Sequence, residues 1–187
     1  LFHIYALTVN LLFGVRLGAL MVLHTRFDLD AVLQDLAAKK ISVFAGVPTM
    51  YTAIINHPKV KELDLKSLKF CGSGGAPLPL EVKMNFEKLT GAAVVEGYGL
   101  SEASPVVTCN PVQGPVVAGS IGVPLPHTII SLRDLEDPTK EVSPGERGEL
   151  CIKGPQVMKG YWQRQEATDE ILDSEGWLKT GDIGIIQ

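Results

Sequence analysis

The stretch SLKFCGSGGAPLPLEVKMNFEKLTGAAVVEG, residues Ser67–Gly97, reads as strand, glycine loop, helix, stop and strand. Ser67–Cys71 predicts a short buried strand, and Gly72–Ser73–Gly74–Gly75–Ala76–Pro77 predicts the loop that leaves it. Val82, Phe86 and Leu89 recur at helical spacing, so a helix over roughly Leu80–Leu89 turns one apolar stripe inward. Thr90–Gly91 ends it, and Ala93–Glu96 predicts the next strand. Two strands joined through a helix run parallel. The fold class is therefore α/β, with a parallel sheet flanked by helices.

Upstream the same alternation continues. Asp28 and Asp30 offer N-cap side chains to a helix over Ala31–Lys40, with Val32, Leu33, Leu36 and Ala37 on one face. Lys39 and Lys40 suit the negative end of its dipole. Ile41–Val47 predicts a buried strand, and Pro48 stands in the first turn of a helix running to about Asn56. Ala19–Leu23 is an apolar run expected to form a strand covered on both faces. The first 24 residues are apolar but carry His3, Asn10, Arg16 and His24, which points to a buried segment rather than a membrane span. They lack the basic leader of a signal peptide. The opening inside an apolar run, without an initiator methionine, suggests a piece of a longer protein.

From about residue 115 the texture changes. Gly and Pro punctuate short alternating runs, Thr128–Leu132 and Glu149–Lys153, which predicts a small antiparallel, barrel-like portion. The expected division is an α/β part over 1–112 and a β-rich part over 113–187. Gly176–Asp182 reads as a turn that presents a carboxylate.

Composition narrows the classes. A hydrophobic content of 45% and a charged content of 20% belong to a folded globular chain, and a net charge of −4 argues against nucleic acid as a partner. Cys71, Cys109 and Cys151 are odd in number and widely spaced, which fits reduced thiols in a cytoplasmic protein.

In open parallel sheets ligands bind beyond the carboxyl ends of the strands. Both glycine-rich segments, after Cys71 and after Glu96, leave strands at that edge and can face one crevice. The first, with Gly74, Gly75 and Ala76, is not a Walker loop, so it reads either as a tight connection or as a bare edge for a planar base. The second is Glu96–Gly97–Tyr98–Gly99–Leu100–Ser101–Glu102. Its glycines allow a sharp turn and close backbone approach. Tyr98 reads as a sheet-end aromatic or as a cover for a heterocycle. Ser101 can donate to a phosphate oxygen. Glu102 reads as a helix-start acid or as a hard oxygen ligand for Mg²⁺. Asp182 is a turn residue or a partner for two ribose hydroxyls. His3 sits in an aromatic cluster with Phe2 and Tyr5, and Arg26 reads as a rim charge.

Taken in order, these segments resemble the adenylate-forming superfamily: acyl-CoA synthetases, peptide-synthetase adenylation domains and beetle luciferases. Leu1–Phe2–His3–Ile4–Tyr5–Ala6–Leu7 is similar to its acyl-side segment, Ser73–Leu78 to its adenine-side loop, and Gly97–Glu102 to its YGxTE motif. Gly148–Gly154 with Gly160–Tyr161–Trp162 resembles its barrel motif, and Thr180–Gly181–Asp182 its ribose-binding TGD. Within the superfamily, Glu96–Leu100 and Gly154–Arg164 look most like bacterial long-chain fatty-acid–CoA ligases, while His3–Leu7 is equally similar to 4-coumarate–CoA ligases.

The resemblance implies a ligase that joins a fatty acid to coenzyme A at the expense of ATP, through acyl-AMP. It implies that Tyr98 stacks on adenine, with Gly74, Gly75, Ala76, Glu96, Gly97 and Gly99 around the base. Ser101 would meet phosphate, Glu102 would bind Mg²⁺, and Asp182 would hold ribose. His3 would lie beside the reacting carboxylate, and Arg26 would meet the CoA nucleotide. Ser101 stands where the family usually has threonine; the hydroxyl is kept. The family's lysine-bearing phosphate loop and its C-terminal lid fall outside this sequence, so the fragment alone is expected to be inactive. Other readings are a ligase for aromatic or medium-chain acids and a non-catalytic nucleotide- or acyl-binding module. Long-chain substrates also make a peripheral membrane location an expectation.

Overall fold

The computed structural model describes residues 1–114, 116–117 and 119–187. Residue 115, about which the sequence texture changes, lies outside the described residues. The chain forms two compact units. The first holds Leu1–Gly99 with Thr108–Val123, and the second holds Leu100–Val107 with Pro124–Gln187.

In the first unit, β1 (Val43–Gly46), β2 (Phe70–Ser73) and β3 (Ala93–Gly99) pair in parallel. Phe70 stands opposite both Val43 and Ala93, and Ser73 opposite Gly46 and Glu96. β4 (Val106–Cys109) and β5 (Val123–Pro124) straddle the boundaries between the two units in the chain. The helix Leu29–Ala38 starts at Asp28, whose carboxylate accepts from the Ala31 amide, and buries Val32, Leu33 and Leu36. Pro48 opens the next helix, Pro48–Ile55, and Leu80–Thr90 closes on Gly91, whose φ of 76° is the left-handed stop the sequence predicts.

The core between these helices and the sheet is organised by Tyr51, which is fully buried. Its ring meets Phe86 edge-on at 4.9 Å and Phe44 at 5.6 Å, and its hydroxyl donates to the Gly72 carbonyl at 2.6 Å. A buried hydroxyl left unbonded would cost about 1–3 kcal/mol, and this bond removes that penalty. It also ties the helix Pro48–Ile55 to the strand that carries the first glycine loop.

In the second unit, β6 (Ile129–Arg133), β7 (Arg147–Lys153) and β8 (Leu178–Ile185) form an antiparallel sheet, with Leu132, Leu150, Ile152 and Leu178 buried.

Several expectations change. Residues 19–23 form no strand, and Leu20 and Leu23 lie on the surface. A two-faced strand needs a neighbour to hydrogen-bond with; among the described residues β1 pairs only with β2, which leaves this run without a ladder. The opening segment is helical over 4–17, widening to a π form across Leu7–Leu12. It is buried only in part: residues 4–11 are half-buried, whereas Leu12, Phe13, Val15 and Leu17 are exposed. Within Phe13–Leu17 Gly14 is buried; a Cβ on it would stand 2.7 Å from the Met21 sulfur. The expected strand Ile41–Val47 shortens to β1, an edge strand whose Val43 is exposed. β3 runs on through Gly97, Tyr98 and Gly99, so the turn falls after Gly99 instead of after Glu96. Residues 178–182 belong to β8 and not to a turn.

Candidate functional site

Two stretches of the first unit meet where the sequence places a base-binding edge. The Leu78 amide, at the end of the glycine loop, donates to Glu96 Oε1 on β3 at 2.9 Å. The loop Gly74–Leu78 and the end of β3 are thereby fastened to each other. Glu96, Gly97 and Tyr98 are half-buried, and Gly99 is exposed. Glu96 and Tyr98, two residues apart on a strand, share one face of the sheet. Neither Gly97 nor Gly99 uses a positive φ; the value they offer is a bare backbone. Gly75, at φ 82°, does require glycine, and Gly75 and Ala76 are exposed.

Gly74 departs from the expected pattern. It is buried, and a Cβ there would stand 3.2 Å from the Tyr5 ring; one on Gly72 would stand 3.0 Å from the Tyr5 hydroxyl. The bare face of residues 72 and 74 is therefore filled by the chain's own phenol. Burial pushes the Tyr5 hydroxyl up to about 12, reinforced by the Cys109 and Cys71 thiols. The signal for this lay in the sequence: two glycines at alternate positions leave a flat strip on one side of a strand, which a ring can fill. Ser73, next to them, is buried, and its hydroxyl has no hydrogen-bond partner among the described residues.

His3 is exposed and caps the first helical turn, with Nδ1 accepting from the Tyr5 amide at 3.2 Å. Arg26 is exposed in the bend at residues 25–26 instead of ending a strand.

The second unit carries Ser101, Glu102 and Asp182, the residues expected from the sequence to meet phosphate, metal and ribose. Ser101–Ala103 is a short 3₁₀ turn closed by Ser104 in the left-handed region, and the Leu100 amide donates to Pro105 O at 2.9 Å. Ala103 is buried and anchors the turn, Ser101 is exposed, and Glu102 is half-buried. Glu102 is held twice by the segment that follows β7. Its carbonyl accepts from the Met158 amide at 2.8 Å, and its Oε1 accepts from the Tyr161 hydroxyl at 2.7 Å. That hydrogen bond raises the Tyr161 phenol above its ordinary value. Sequence reasoning missed this pairing, since 59 residues separate the partners.

Asp182 is exposed on β8 one residue beyond Gly181, whose φ is 76°. The ladder to β7 shifts register between Glu149 and Cys151, and the Gly181 amide donates to Glu149 Oε1 at 3.0 Å. Thr180 Oγ1 donates to the Leu150 carbonyl at 2.7 Å and accepts from the Asp182 amide. The Thr180–Gly181–Asp182 segment is thus a braced irregularity that aims a carboxylate outward, the use to which bulges are commonly put.

Among the described residues no three His, Cys, Asp or Glu side chains cluster as a metal cage. A lone carboxylate fits Mg²⁺ all the same, because that ion keeps its waters and takes one or two carboxylates plus substrate phosphates. The three cysteines are free, and burial raises all three thiols, Cys71 to about 12, so none is set up as a nucleophile. Among the described residues no helix is long and apolar enough to cross a membrane.

The sequence profile of the AMP-binding enzymes matches residues 1–162. The chain belongs to the AMP-binding enzyme family. A long-chain-fatty-acid–CoA ligase of Bacillus subtilis strain 168 is 46% identical over 183 residues, covering 98% of this chain and 32% of the relative. A feruloyl-CoA synthase of Amycolatopsis is 40% identical over 188 residues, covering all of this chain and 37% of the relative. The ATP-bound crystal structure of MatB from Rhodopseudomonas palustris superposes with a TM-score of 0.89 at 34% identity, over 99% of this chain and 36% of that one. The chain thus spans about a third of the length of the curated relatives it matches.

Proposed function

We propose that this chain is the middle of a long-chain fatty acid–CoA ligase. The observation that carries the reading is the bond from the Leu78 amide to Glu96, which joins the two glycine segments at one strand edge. The substrate class rests on the names of the relatives. A fatty-acid carboxylate oxygen attacks the α-phosphorus of ATP, the bond to the bridging oxygen breaks, and pyrophosphate leaves. The thiolate of coenzyme A then attacks the acyl carbon, and AMP departs with the carboxylate oxygen.

Tyr98 covers the adenine, and Gly75, Ala76 and Gly97 line it. Glu96, already engaged with Leu78, acts by fixing the loop. Ser101 donates to a phosphate oxygen, Asp182 receives the ribose hydroxyls, His3 lies beside the reacting carboxylate, and Arg26 meets the CoA nucleotide. Glu102 would hold Mg²⁺, which supplies charge neutralisation at the phosphates. Gly74, covered by Tyr5, and Gly99 act through the backbone. The setting is cytoplasmic, with peripheral membrane contact through the fatty acid; pelleting of the full-length protein with vesicles tests this, and a wholly soluble enzyme rejects it.

AMP release from fatty acid, ATP and coenzyme A by the full-length protein is the test. Absence of turnover with every carboxylate overturns the reading. The 40% identity to a feruloyl-CoA synthase favours a second one, a ligase of aromatic acids. Comparing kcat/KM for palmitate and ferulate separates the two.

A further inference from the structure

We infer that Tyr161 is a positioning residue for Glu102, orienting its carboxylate toward a divalent cation carried by a nucleotide. The inference rests on the proposed role of Glu102 as metal ligand. A glutamate has three side-chain torsions, and a carboxylate that must meet a metal–nucleotide complex gains from having them fixed beforehand. Here the fixing is visible. The Tyr161 hydroxyl takes Oε1 at 2.7 Å, while the Met158 amide takes the carbonyl of the same residue at 2.8 Å. Oε2 accepts no hydrogen bond among the described residues and is the oxygen left for a cation. A phenol is a neutral donor, so it orients the carboxylate and leaves its charge for the metal.

Tyr161 is itself braced. Its amide donates to Thr168 Oγ1 at 2.9 Å, and Thr168 is buried in the middle of the helix Gln165–Ile171. Gly160, at φ 139°, brings the chain against that threonine so closely that a Cβ would stand 2.8 Å from Thr168 Cγ2. Tyr161 is 38% exposed, so its hydroxyl contributes little to the core, and its partner is the one carboxylate in the turn. A hydrogen bond of this kind at an open surface adds little stability. Holding an outer-shell donor on a metal ligand, by contrast, is commonly worth 10- to 100-fold in metal affinity.

The test uses the full-length protein with Mn²⁺ as the probe. Binding of Mn²⁺–ATP is read by electron paramagnetic resonance, metal-free ATP binding by equilibrium dialysis, and folding by thermal melting. Tyr161→Phe is expected to weaken Mn²⁺–ATP binding by about 10-fold, leaving metal-free ATP binding and the melting temperature unchanged. Glu102→Gln is expected to weaken Mn²⁺–ATP binding at least as much, and adding Tyr161→Phe to it is expected to do nothing further. If Glu102→Gln weakens Mn²⁺–ATP binding and Tyr161→Phe does not, the positioning role is overturned while the metal ligand stands. Additive losses in the double variant also overturn it. If Glu102→Gln itself leaves Mn²⁺–ATP binding unchanged, the metal-ligand reading fails, and the positioning role fails with it.

Discussion

Glu96 and Leu78 are a charged acceptor and a nearly buried backbone donor, and the outcome of removing one side of such a pair is asymmetric. Glu96→Ala leaves the Leu78 amide without its partner and is expected to cost about 1–3 kcal/mol, with a lowered melting temperature and a raised KM for ATP. Glu96→Gln keeps an oxygen acceptor at the same place and is expected to stay within about 1 kcal/mol of the parent. Equal melting temperatures for Glu96→Ala and the parent would remove the pair from the account. Ser101 belongs to the same scale. It is exposed in its turn, so Ser101→Ala is expected to leave the melting temperature unchanged and to lower kcat for AMP release. An unchanged kcat would take the hydroxyl out of the site. The hydroxyl, the carboxylate and the ring at residues 98–102 were legible from residue types alone. What each is bonded to was not, because a tyrosine 59 residues away decides the orientation of Glu102.

At the scale of elements, local chemistry read from the sequence succeeded where an element is specified by its own ends. The helix Leu29–Ala38 begins at Asp28 because a free carboxylate can take the Ala31 amide, and Leu80–Thr90 ends at Gly91 because a left-handed residue stops it. Asp28→Ala is accordingly expected to lower stability by about 1 kcal/mol, and Asp28→Ser to restore most of it; a melting temperature in Asp28→Ala equal to the parent's would contradict the cap. Asp30, the alternative cap, lies inside the first turn and meets His57 at 3.1 Å. Elements specified by neighbours were read less well. The run Ala19–Leu23 has the composition of a buried strand and no ladder to join. β3 outlasts its β-branched residues through Gly97–Gly99, where propensity would end it. Likewise the turn chemistry of Thr180–Gly181–Asp182 is real but is used inside β8, against the register shift opposite Glu149 and Cys151. A glycine marks an unusual backbone; only the partner strand says whether that means a turn or a bulge.

For the molecule as a whole, the order of elements and the order of motifs were legible together, which is why the α/β assignment and the family could be reached from either. The packing of Tyr5 across Gly72 and Gly74 was not, and it links the opening helix to the sheet. Cys71, fully buried on β2, has its thiol pushed from an ordinary value near 9 to about 12, chiefly by burial. Tyr5 is pushed from 10 to about 12 for the same reason. Both groups are neutral below these values. Where a folded pKa exceeds the unfolded one, the unfolded chain holds fewer protons between the two, so stability falls as pH rises through that window. The contribution of Cys71 is complete below about pH 9 and is lost progressively between pH 9 and 12. A thiol alkylates as its thiolate, so the folded full-length protein treated with iodoacetamide at pH 9 should leave Cys71 unmodified. The same protein in urea should be modified there at the rate of an ordinary cysteine, with peptide masses reporting the site. Equal modification of Cys71 in the folded and unfolded protein would mean that β2 is open to solvent, and the closed core built on Tyr51 and Phe86 would have to be abandoned.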